Sequence, residues 1–130
     1  MSEIAVKMAT ARVIVDESNT AKAVGSGNLE VFATPMMIAL MERAVCECLA
    51  GCLEPGQTSV GIQINVAHTS ASPLGVEITA TATIESVSGR KIEFNVVASD
   101  GTGEIGSGKH TRMIVDENKF MSKVNGSLKK

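Results

Sequence analysis

The 130-residue sequence has no tryptophan and no tyrosine, and three phenylalanines are its only aromatic residues. With no basic block and a net charge of −2, nothing in it suits a nucleic-acid partner. Three lysines fall in the last eight residues, where a short frayed tail accounts for them. There are two histidines, and neither lies near Cys46, Cys48 or Cys52 in sequence, so no metal site is expected. Those cysteines read as reduced, buried, small apolar side chains, and their odd number suits a reducing compartment. Long apolar runs are missing as well. Glu3, Lys7 and Arg12 interrupt the first fifteen residues, which excludes a signal-peptide core. Glu42, Arg43 and Glu47 interrupt the longest candidate helix, which argues against a membrane span. The expectation is a soluble, cytoplasmic protein. Its length suits one domain with a modest core, residues 1–124, followed by a flexible tail at 125–130.

What the sequence does announce is one long helix, from Thr34 to Leu53. Thr34 reads as its N-cap, Pro35 suits the first helical position, and Pro55-Gly56 ends it. On a helical wheel Arg43, Glu47 and Glu54 form one narrow wet stripe. Glu42 stands apart, flanked by Ile38, Val45, Cys46, Leu49 and Leu53, in the middle of the apolar face. A carboxylate there must be paired, hydrogen-bonded or protonated. It is either a structural Glu bonded to nearby backbone or a catalytic group in a dry pocket.

The rest of the chain reads as strands. Residues 2–16 form one bent strand or two short ones, interrupted at Ala9–Ala11. Residues 17–31 are an irregular loop or lid around Gly25-Ser26-Gly27-Asn28. In residues 58–68, Val60, Ile62, Ile64 and Val66 alternate with polar residues and glycine, the pattern of a strand with one buried face. His68 shares their parity. Two separate periodicities therefore aim an acid and an imidazole into the same layer, which favours the catalytic reading of Glu42. In residues 76–87, Val76, Ile78, Ala80, Ala82 and Ile84 face inward. Ser88-Gly89-Arg90 turns into a strand with Ile92, Phe94, Val96 and Ala98 inside, and Asp100–Gly103 turns again into residues 104–115. His110 and Arg112 have the opposite parity from Met113, so solvent exposure is their default. Residues 116–124 form a short terminal helix. The fold class is α+β: a hotdog fold, one long helix wrapped by a curved antiparallel sheet of about five strands. One helix covers such a sheet thinly and edge strands invite pairing, so a dimer is expected.

Two motifs match by letter only. Gly101-Thr102-Gly103-Glu104-Ile105-Gly106 fits G-x-G-x-x-G but straddles a hairpin turn instead of opening a helix. Gly106-Ser107-Gly108 is not a nucleophile elbow; its glycines mark a bulge or a close backbone approach.

Several words of the sequence, at their spacings, resemble the fluoroacetyl-CoA thioesterase family of hotdog proteins. These are Val31-Phe32-Ala33-Thr34-Pro35-Met36-Met37, Leu40-Met41-Glu42, Gly61, and Val66 to Gly75. Later ones are Val87 to Arg90, Asp100-Gly101, Glu104 to Arg112, and Lys119-Phe120. The resemblance covers roughly residues 29–124. It implies a catalytic group of Thr34, Glu42 and His68, with Gly61 near the acyl group and Arg112 near the site. It also implies a homodimer binding acyl-CoA near the subunit interface, with no metal and no cofactor besides the coenzyme A of the substrate. The fluoroacetyl-selective member carries phenylalanines in its lid. Residues 17–31 here have no aromatic, so the resemblance implies the thioesterase machinery without that selectivity. Besides hydrolysis of a small acyl-CoA, a hotdog hydratase or dehydratase and a non-catalytic acyl-CoA-binding module fit the same residues.

Overall fold

The computed structural model describes residues 7–127. Five strands, β1 (Met8–Ile14), β2 (Gln57–His68), β3 (Glu77–Ser88), β4 (Lys91–Ser99) and β5 (Glu104–Asp116), form one sheet in the order β1-β3-β4-β5-β2. Every pairing is antiparallel. The helices are α1 (Ala21–Val24), α2 (Thr34–Leu49) and α3 (Glu117–Ser127). This is the hotdog arrangement, with β3–β4–β5 as the expected meander and α2 held in the curl of the sheet.

The alternation in the meander sets the core. Ile78, Ala80 and Ala82 of β3, and Ile92, Phe94, Val96 and Ala98 of β4, are fully buried. The alanines leave room for α2 to lie close, and the Cys48 thiol lies 3.5 Å from the Ala82 carbonyl. β1 runs unbroken through Ala9–Ala11, because these residues pair with Ala82, Thr81 and Ala80. The expected interruption is absent: small side chains against small side chains leave the ladder intact. Residues 2–6 of that expected strand lie outside the described residues.

Helix α2 buries Met37, Leu40, Met41, Ala44, Val45, Cys48 and Leu49, a stripe at helical spacing. It ends at Leu49, short of the expected Leu53, because Ala50 leaves the helical conformation and Gly51 takes a φ of +76°. Thr34, Ile38, Glu42 and Cys46 form a row of residues four apart along the flank of the buried stripe, and all are exposed or half-buried. Glu42 is thus at the edge of the apolar face, not its middle, and Cys46 is exposed while Cys48 and Cys52 are buried.

Strand β2 departs furthest from its simple alternation. Gly61 pairs with Arg112, but Gln63 pairs with Thr111, so Ile62 is an extra residue in a bulge. Before the bulge Ser59 and Gly61 face α2; after it Ile64, Val66 and His68 do. Val60 and Ile62 therefore do not line the inside, and Ile62 is 53% exposed. His68 keeps its expected inward parity. Strand β2 pairs with β5 alone, so its other edge is open.

Helix α3 runs on to Ser127, past the expected end at 124, and residues 128–130 lie outside the described residues. Among the described residues no helix is long and apolar enough to cross a membrane.

Candidate active site

The first turn of α2 is anchored from both sides. The Phe32 amide donates to the Ser72 carbonyl at 2.9 Å and the Ala33 amide to the Asn19 carbonyl at 3.0 Å. Ala33, not Thr34, is the N-cap, and its methyl side chain makes no capping bond. Thr34 is the first helical residue, so its hydroxyl is free of the role expected for it. That hydroxyl lies 2.7 Å from Nδ1 of His68. On the sheet side, His68 pairs with Gly106, and the Thr69 amide donates to the Ile105 carbonyl at 2.7 Å. A side chain on Gly106 would strike the Ala67 carbonyl at 2.6 Å, which explains the glycine as a close backbone approach. Nε2 of His68 is buried and has no hydrogen-bond partner among the described residues.

A cavity of about 250 Å³ opens beside this pair, lined by Ser26, Val31, Phe32, Thr34, His68 and Ser70 among others. The segment read as a loop or lid forms part of its wall. It contains α1, which Thr20 caps by accepting from the Ala23 amide at 3.1 Å. Phe32, just past the lid, is the aromatic residue at this cavity.

Glu42 lies eight residues beyond Thr34, about 12 Å along the helix axis at 1.5 Å per residue. Its carboxylate meets a different set of partners. Arg112 donates to Oε2 at 3.2 Å, and His110 Nε2 lies 3.7 Å from the same oxygen. Arg112 also donates to the Ser59 hydroxyl at 3.2 Å and to the Ser59 carbonyl at 3.0 Å, and it approaches the Cys46 sulfur. Its fork thus ties β2 to α2 through Glu42. Gly61 sits under this cluster: a Cβ there would lie 2.9 Å from Glu42 Oε2, 3.0 Å from His110 Cε1 and 3.1 Å from Arg112 Nη1.

His110 and Arg112 are not exposed; their exposures are 2% and 7%. They pair with Phe94 and Ile92, whose side chains point into the core, so they share that inward face. Ile114 continues the same parity, and Met113 is the residue on the other face. The parity of Ile92 and Phe94 across the hairpin was the signal that could have identified both. His110 is held by a 2.8 Å bond between Nδ1 and the Gln63 carbonyl, and its burial pushes its pKa below the usual imidazole value.

One chain therefore holds two separate polar clusters: Thr34 with His68 beside a cavity, and Glu42 with Arg112, His110 and Gly61. Among the described residues no group of three or more His, Cys, Asp or Glu could hold a metal ion.

The profile of the fluoroacetyl-CoA-specific thioesterase family (FlK) matches residues 15–118. A fluoroacetyl-CoA thioesterase from Streptantibioticus cattleyicolor is 48% identical over 95 residues, which cover 73% of this chain and 68% of that protein. A solved structure of the fluoroacetyl-CoA thioesterase FlK superposes with a TM-score of 0.89 at 38% identity, covering 96% of this chain and 98% of that one. A thioesterase superfamily member from Thermus thermophilus has the same fold, with a TM-score of 0.90 at 23% identity over 99% and 96% of the two chains.

Proposed function

The chain belongs to the fluoroacetyl-CoA-specific thioesterase family and is a hotdog-fold thioester hydrolase; from that premise we propose that it hydrolyses a small acyl-CoA with Thr34, Glu42 and His68, in a site completed across a homodimer. The observation that carries this reading is the 2.7 Å contact between Thr34 and His68, with a bare Nε2 beside a cavity.

Within one chain Glu42 turns to Arg112 and His110, while His68 turns to Thr34. A second copy resolves the separation. The free edge of β2 suits antiparallel pairing with its own copy. Such pairing brings the His68 end of one strand alongside the Ser59–Gly61 half of the other. Glu42 then works with Thr34 and His68 of the partner subunit. Ile62 on β2 and Thr34 and Cys46 on α2 are left exposed within one chain.

In this site the Thr34 hydroxyl donates to Nδ1 of His68, which leaves the proton on Nε2. As the C–S bond breaks, its electron pair goes to sulfur, and the Nε2–H of His68 stabilises the leaving thiolate by a hydrogen bond while solvent supplies the thiol proton. Glu42 brings the attacking oxygen, its own or that of a water it deprotonates. Arg112 holds the carboxylate in place at 3.2 Å, and Gly61 leaves the space that the carboxylate and a small acyl group need. A lid without aromatic residues serves a small acyl group without selecting fluoroacetyl. The unpaired thiols suit a cytoplasmic setting.

The experiment is thiol release from acetyl-, fluoroacetyl-, branched short-chain and aryl-CoA, with wild type and Glu42→Gln side by side. The expected result is turnover that the variant loses while keeping its fold. Full activity in the variant overturns the assignment of Glu42. Thiol release also separates hydrolysis from hydration of the acyl group and from binding alone.

A further inference from the structure

His110 is a buried imidazole that the proposed reaction leaves idle. Its Nδ1 is 2.8 Å from a backbone carbonyl, which can only accept, so Nδ1 carries the proton and donates it to Gln63. In the neutral ring Nε2 is then an unprotonated acceptor. It is buried without a hydrogen bond, and it faces Glu42 Oε2 from 3.7 Å. Two acceptors confront each other across a gap slightly wider than a hydrogen bond. Arg112 flanks the same oxygen, and Gly61 closes the floor.

That juxtaposition needs a proton to make sense. Whichever oxygen attacks the thioester, Glu42 must be ionised when it does. Hydrolysis to a carboxylate and a thiol also releases one proton in each turnover. We infer that His110 is a positioning residue for Glu42, whose Nε2 takes the proton off Oε2 and so returns Glu42 to its carboxylate before each attack. In that step the O–H bond of Glu42 breaks, the Nε2 lone pair forms the N–H bond, and the net charge of the pair is unchanged. An imidazole ordinarily holds a proton about two units more tightly than a carboxyl group. Burial and the Arg112 guanidinium oppose the imidazolium, while the Gln63 carbonyl and the Glu42 carboxylate favour it. The charged groups facing the ring are thus Glu42 from α2 and Arg112 from β5. The inference rests on the role proposed for Glu42.

Two variants separate this role from a structural one. His110→Asn keeps an amide N–H where Nδ1 stood, so the bond to Gln63 survives and Nε2 is lost. His110→Gln sets an amide against Glu42 that holds it but has no basic nitrogen. For both, kcat is expected to fall about tenfold to a hundredfold with KM within about twofold. The acid limb of the pH profile should move to higher pH, because no imidazole nitrogen is left to take the proton off Oε2. Activity within about twofold of wild type in either variant, or an unmoved acid limb, overturns the inference. A measurement on folded protein backs this if a variant fails to fold. Ring nitrogen NMR should show Nδ1 protonated and Nε2 bare at neutral pH, and the His110 titration should move to lower pH in Glu42→Gln. The opposite tautomer, or an unmoved titration, also overturns it. Glu42→Gln in the same assay keeps the two proposals distinct. If it is inactive while both His110 variants are fully active, only the His110 role fails; if it hydrolyses normally, the role of Glu42 fails first.

Discussion

Thr34 and His68, 34 positions apart in the chain, meet at 2.7 Å between hydroxyl and imidazole. The contact exists because Ala33 takes the cap position and leaves the threonine hydroxyl uncommitted. A capping threonine is worth about 1 kcal/mol of stability, and Thr34 does not supply it. Thr34→Val should therefore melt within a degree or two of wild type by circular dichroism, yet lose most of its thiol release. Thr34→Ser should keep substantial activity. A large fall in melting temperature for the valine variant would return Thr34 to a capping role.

Complementation tests the division of the site between subunits. Glu42→Gln and His68→Ala should each be inactive alone. After mixing through a mild denaturation and refolding step, half of the dimers are hybrids, each with one intact site. Activity should recover to about a quarter of wild type. No recovery, with hybrids demonstrated by mass spectrometry, would place the whole site within one chain.

Gly61→Ala is expected to harm function more than fold. The new methyl meets the tips of Glu42, His110 and Arg112 at 2.9–3.1 Å, and flexible tips can move aside. Overpacking of this kind costs about 1–3 kcal/mol. The displaced carboxylate loses its 3.2 Å contact with Arg112, so kcat should drop at least tenfold. Kinetics and chemical denaturation on the same preparation check both parts.

Arg112→Lys keeps the charge but not the fork. One ammonium cannot serve Ser59 Oγ, the Ser59 carbonyl and Glu42 together, as the guanidinium does. Glu42 is 39% exposed, so solvent offsets part of the loss. A stability decrease of about 1–2 kcal/mol is expected, with a larger fractional loss of turnover. Urea titration and thiol release give the two numbers.

Acid should weaken the fold through His110. Burial lowers its pKa below the usual 6.5, so in the folded protein it stays neutral at a pH where the unfolded chain is already protonated. The unfolded state then binds more protons, and stability falls as pH drops from about 6.5 towards the lowered value, levelling off below it. Asp16 and Asp100, whose pKa values are lowered by hydrogen bonds from Ser18 and Thr102, act only below about 3.8. Wild type should lose stability as pH falls from about 6.5 towards the lowered value, and His110→Asn much less. An equal loss in both would assign the effect to another group.

Much of this fold is legible in the sequence because β3 from Glu77 to Thr83 and all of β4 alternate in burial, and their alanines announce a close helix. Family words and spacing point to Thr34, Glu42 and His68 together. Periodicity alone places an acid and an imidazole in one layer but says nothing of their offset along it. Strand β2 misleads because no letter in Val-Gly-Ile-Gln marks Ile62 as the extra residue. Strand β5 misleads because its inward residues are a histidine and an arginine, polar groups that a hydrophobic pattern sends outward. Their burial depends on Glu42, Ser59 and Gln63, contacts that no local stretch contains.

The bulge at Ile62 gives β2 two phases, and this sets which genetic changes the strand can absorb. Replacing Ile62 alters one exposed side chain. Deleting it would put Ser59, Gly61, Ile64, Val66 and His68 on one parity, so that each keeps its β5 partner and its inward aim. The loss of that one codon would therefore leave Gly61 beneath Glu42 and His68 beside Thr34, in a strand with a single phase.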